Sequence, residues 1–144
     1  MKFMLRIKGE VGVDRDIEET MCRLKLKKKF VGVILNKETN VQMGMVQKIR
    51  NCVAYGEVSD ELLEKIIASR GRALDTSKKM AEPKKVVEGL KQGKSLEDFN
   101  VKPFFRMHPP RGGFRGPAST KTHYPKGTLG DHGKELNKLV ERML

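Results

Sequence analysis

Pro109-Pro110-Arg111-Gly112-Gly113-Phe114-Arg115-Gly116 is the stretch of this chain best equipped to hold another molecule. Glycines let a backbone approach a ligand closely, prolines lower the entropy lost on ordering, and each guanidinium offers a planar fork that matches phosphate or a guanine edge. Phe114 has a face on which an unpaired base could stack. The surroundings have the same sign: no Asp or Glu occurs between Asp98 and Asp131, while Lys102, Arg106, Arg111, Arg115, Lys121 and Lys126 all fall in that gap. His108 sits in the same stretch as a further polar contact for phosphate. A second cluster, Arg23, Lys25, Lys27, Lys28 and Lys29, stands where a helix should end. There, phosphate binding competes with the plainer role of cations at the negative end of a helix dipole. Lys48 and Arg50 are candidates of the same kind, with the plainer role favoured.

Other chemistries fit less well. His108, His123 and His132 could be an acid and base pair for phosphodiester cleavage, or metal ligands with Cys22 and Cys52, but their spacings match no ligand signature. No glycine run leads to Gly-Lys-Ser or Gly-Lys-Thr, and no dinucleotide fingerprint follows the first strand. No metal and no cofactor are therefore expected. The cysteines, thirty positions apart, read as two small buried apolar residues.

Elements to position these groups can be read in order. Phe3, Leu5 and Ile7 alternate with Met4, Arg6 and Lys8, the period of a half-buried strand. Asp14 and Asp16 open a helix carried by Ile17, Met21 and Leu24. Val31 to Leu35, β-branched and apolar on both faces, reads as a central strand covered by helices. Thr39 and Gln42 form a capping box for a second helix with Val41, Met45 and Ile49 on its inner face. Cys52 to Val58 is a third strand, and Ser59 starts a helix built on Leu62, Leu63, Ile66 and Ile67. Pro83 opens another, which Gly93 stops. Phe104 to His108 is a short fourth strand, blocked by the two prolines. From Pro109 to Gly130 the chain lacks apolar periodicity and should not fold on itself. Leu136, Leu139, Val140 and Met143 then mark a terminal helix that docks back on the body.

The chain has 144 residues, enough for one compact domain or two small ones. Thirty Lys and Arg against eighteen Asp and Glu give a net charge of +12, with six Phe, two Tyr and no Trp. A polyanionic partner follows from that balance. No apolar run approaches the roughly 18 residues that span a bilayer, and the alternating N-terminus is unlike a secretion signal, so no membrane association and a cytoplasmic location are expected.

These residues resemble the archaeal branch of the large-subunit ribosomal protein family called L-thirty, whose eukaryotic relative is L-seven. The resemblance rests on Phe3 to Gly9, on KFVGVILNK from Lys29 to Lys37, on GMVQKIRNCVAYG from Gly44 to Gly56, and on PFFRMHPPRGG from Pro103 to Gly113. It implies an α/β fold: a ferredoxin-like βαβαβ core with an antiparallel three-stranded sheet, a small helical insertion, and an extended C-terminal tail ending in a helix. It also implies binding to large-subunit ribosomal RNA beside neighbouring ribosomal proteins, with no enzymatic activity, small-molecule substrate or cofactor. The expected parts are a core over 1–58, a helical module over 59–99, and a basic segment with its closing helix over 100–144. Two rivals stand beside this reading. One is a free-standing regulator using residues 59–92 as a helix-turn-helix, although 71–82 is far longer than that motif's turn. The other is an RNA-cleaving or RNA-modifying enzyme using His108 or His123.

Overall fold

The protein is described by a computed structural model that covers all residues except 37, 78 and 115–119. Five strands and five helices follow one another as β1 (Lys2–Arg6), α1 (Arg15–Arg23), β2 (Val31–Leu35), α2 (Asn40–Ile49), β3 (Val53–Glu57), α3 (Asp60–Arg70), α4 (Pro83–Lys91), β4 (Phe105–Arg106), β5 (Gly130–Asp131) and α5 (Leu136–Glu141). The sheet runs β4-β2-β1-β3-β5. β1 is antiparallel to both β2 and β3, pairing Phe3 with Ile34 and with Gly56. The expected three-stranded antiparallel sheet is thus the centre of a wider, mixed one. β4 extends it antiparallel beside Val31 and Gly32, and β5 extends it parallel beside Ala54 and Tyr55.

Both faces of this sheet are covered, which corrects the half-buried reading of β1. On one side Met4, Val33 and Val53 pack with Met21, Leu24, Val46 and Ile49 of α1 and α2. On the other, Phe3, Leu5 and Ile34 meet Leu63 and Ile67 of α3, Val86 and Leu90 of α4, and Leu136, Leu139 and Val140 of α5. The terminal stripe therefore does dock as its spacing indicates. The alternation in β1 distributes residues between two cores, and Arg6, at its end, is completely buried.

Several local expectations change. Thr39 accepts a hydrogen bond from the Gln42 N–H at 3.3 Å, but the Gln42 side-chain oxygen is buried without a partner, so only half of the capping box forms. Val41 is 69 % exposed, and α2 turns Val46 and Ile49 to the sheet instead. Cys22 is exposed on the outer side of α1, because Met21 and Leu24 take the inner one; only Cys52 is buried, where desolvation raises its thiol pKa. The segment after Pro109 is not wholly free of the body either. Leu129 is buried, the Thr122 carbonyl accepts from its N–H, and Gly127 closes a turn onto the His123 carbonyl before β5 joins the sheet. A single apolar anchor and well-placed glycines achieve this without any periodicity.

Candidate nucleic-acid interface

The basic run after α1 is held in one shape from beneath. Lys25 and Phe30 both have φ of 62°, a left-handed conformation that costs side-chain-bearing residues energy and needs outside support. Arg6 supplies it: Nη1 donates to the carbonyls of Leu26 and Lys27 at 2.9 Å each, Nε to that of Lys8 at 2.9 Å, and Nη2 to that of Gly9 at 3.1 Å. Leu26 points into the core beside this guanidinium. With carbonyls and Leu26 turned inward, Lys25, Lys27, Lys28 and Lys29 are left on the outside. Strand alternation hides Arg6 from sequence inspection, because a cation opposite a core residue reads as solvent-facing.

Beside this loop lies a hollow of about 550 Å³. Lys25, Lys27 and Lys28 form one wall; Arg106 of β4 and Arg72, from the connection between α3 and α4, face them. Between the cations lie Val31, Pro103 and Phe104, and Phe104 is 37 % exposed although Phe105 beside it is fully buried. Arg72 and Phe104 escaped the sequence reading. They meet the basic loop only because the Lys102 N–H donates to the Arg72 carbonyl and Arg106 pairs with Val31. The aromatic pair at 104 and 105 was the available signal: one ring must face out.

The other side chains sort by their company. Arg23 is tied to Glu19 at 2.6 Å, Lys25 to Glu97 at 2.8 Å, and Lys48 lies 3.9 Å from Asp16. All these pairs are exposed and add little stability, yet they partly neutralise the cation. Lys27, Lys28, Lys29, Arg50, Arg72, Arg106, Arg111, Lys121 and Lys126 have no ion pair among the described residues, and all are exposed. Lys29 lies 4.9 Å over the ring of Phe30, which stacks on Phe114 at 6.2 Å. Phe114 is therefore half-buried, packed against the Phe30 ring. The glycine loop is anchored at its backbone: the Arg111 N–H donates to the Arg142 carbonyl, and the Arg142 guanidinium donates to the carbonyls of Arg111 and Gly113. Gly112 and Gly113 have φ of 77° and 69°, which suits glycine and leaves the Arg111 side chain outside. Arg115 lies outside the described residues. Lys126 lines a separate hollow of about 260 Å³ with Phe114 and Tyr124, while Lys48, Arg50 and Lys121 border neither hollow.

The histidines do not converge. His108 is exposed, His123 shares a 2.9 Å hydrogen bond with the Asn51 side chain, and His132 is buried against Tyr124 with its Nε2 at 3.0 Å from the Thr128 carbonyl. No group of three metal-ligating side chains exists among the described residues. No helix among them is long and apolar enough to cross a membrane.

Residues 3–53 match the family described as Ribosomal protein L30p/L7e. The match extends far beyond them in whole relatives. The large ribosomal subunit protein uL30 of Archaeoglobus fulgidus is 38 % identical across 99 % of both chains. Its counterpart from Desulfurococcus amylolyticus is 40 % identical over 98 % of this chain and 96 % of its own, and that from Methanopyrus kandleri 34 % identical over 96 % and 100 %. The chain belongs to this family. A structural ribosomal role goes with L30p/L7e membership, and the chain is not an enzyme. The helix-turn-helix rival also loses its footing in the fold: α3 and α4 bury their apolar faces on the sheet, and Lys91 of α4 is occupied by Asp60 at 2.7 Å.

Proposed function

We propose that this protein is a structural constituent of the large ribosomal subunit that binds large-subunit ribosomal RNA through its basic helix ends and its Pro-Arg-Gly-Gly loop, beside neighbouring ribosomal proteins in the cytoplasm. The observation that carries this is the Arg6-braced loop, which presents Lys27, Lys28 and Lys29 outward, all without acidic partners among the described residues. A preformed row of cations engages phosphates without first losing the entropy of ordering its backbone. Its contacts are mainly to backbone and shape, because A-form duplexes hide their base edges in a narrow major groove. On this reading residues 1–58 are a ferredoxin-like core, 59–99 a helical module, and 100–144 the basic segment whose last helix returns to the sheet.

The test is sedimentation. The chain should travel with large subunits in a gradient and leave them only at high salt. Changing Lys27, Lys28 and Lys29 together to Gln should weaken binding to large-subunit RNA and make the dependence on salt shallower by roughly two to three phosphate contacts. A chain that sediments free at low salt, or prefers duplex DNA to this RNA, would refute the reading.

A further inference from the structure

From the hollow beside the basic loop we infer a binding site for a single unpaired nucleotide of RNA, its base stacked on Phe104 and its flanking phosphates held by Lys27 and Lys28 on one side and Arg72 and Arg106 on the other. The inference rests on the RNA-binding reading above and deepens it. Exposed apolar residues are common and need no explanation singly, and Val11, Val41 and Leu74 are of that kind. Phe104 differs in its neighbours. Four cations without acidic partners among the described residues line the same concavity. Packing does not require an aromatic there, since Phe105 already fills the core at this point of the chain.

Shape selects the ligand. The space of about 550 Å³ lies within the range of clefts that take small molecules, roughly 300–1,000 Å³. It is concave, whereas a duplex is convex and keeps its bases stacked within. Only a base turned out of its stack can lay a face on a ring inside such a hollow. A stacked aromatic accepts any base, so the site reads an unpaired position more than its sequence. Its two walls also come from different stretches of chain: Lys27 and Lys28 belong to the segment that matches the family profile, while Arg72, Phe104 and Arg106 lie beyond it.

The full chain would be titrated with large-subunit ribosomal RNA over a range of salt. Phe104→Ala and Phe104→Leu should each bind about ten-fold more weakly with an unchanged salt slope, because stacking releases no counterions, and Phe104→Tyr should stay near wild type. Phe104→Leu keeps an apolar side chain without a ring, and unchanged thermal unfolding of that variant separates a lost stacking contact from a folding defect. If both variants bind as wild type while Lys27→Gln with Lys28→Gln weakens binding and flattens the slope, the nucleotide site is wrong and the general RNA reading stands. If the lysine pair has no effect either, both fail. A photoreactive phenylalanine analogue at position 104, assembled into large subunits, should crosslink to an unpaired nucleotide. Crosslinking to a protein, or to no RNA, would overturn the site.

Discussion

Arg6 is the side chain on which the interface most depends, although it touches no ligand. Its guanidinium satisfies four carbonyls beneath the basic loop, and removing it takes the donor from all of them, that of buried Leu26 included. Hydrogen bonds from a charged donor are each worth about 1.5–3 kcal/mol, so Arg6→Met should destabilise the fold by about 3 kcal/mol or more in urea unfolding. RNA affinity should fall as well, as Lys27 to Lys29 lose their fixed spacing. A cost under about 1 kcal/mol would mean the loop holds itself. His132, 7 % exposed, makes a separate prediction. Burial holds its pKa below the ordinary 6.5, so the unfolded chain takes up a proton first as the pH falls. Stability should therefore be full above that value and decline as pH drops below it, and His132→Gln should remove part of the decline that sets in as the pH falls through about 6.5. Identical curves for both proteins would show that His132 does not titrate with folding. At this scale the lysine run was legible because charge is written in composition. Arg6, Arg72 and Phe104 were not, since each acquires its role from a segment distant in sequence.

Elements were legible where a strong pattern met a simple demand. α3 carries Leu62, Leu63, Ile66 and Ile67 on one face and buries all four, and α5 does the same with Leu136, Leu139 and Val140. Leu139→Ala should cost about 2 kcal/mol or more by thermal or chemical unfolding, a cavity in the layer that covers β1. A smaller loss would show that α5 rests on the sheet loosely. α2 was less legible, because its methionines leave more than one apolar face and the sheet decides between them. β5 was invisible: Gly130 and Asp131 have no strand preference, and they pair with β3 because Leu129 and the turn at Gly127 bring them there. The segment from Pro109 onward thus combines two behaviours. One part wraps the sheet edge, and another is a loop whose backbone is fastened by Arg142 and whose Phe114 ring packs on Phe30.

For the molecule as a whole, the alternation of strand and helix up to Glu57 was enough to give the α/β class and the order of the core. It could not give the width of the sheet, because both edge strands are two residues long and are recruited from the far half of the chain. The covering of β1 has a consequence for how the protein is made. Phe3, Leu5 and Ile34 leave the ribosome early, yet the helices that cover them begin at Asp60 and finish with α5. During translation the nascent sheet carries one bare greasy side, and it stays open to misassembly or chaperone capture until the closing helix arrives.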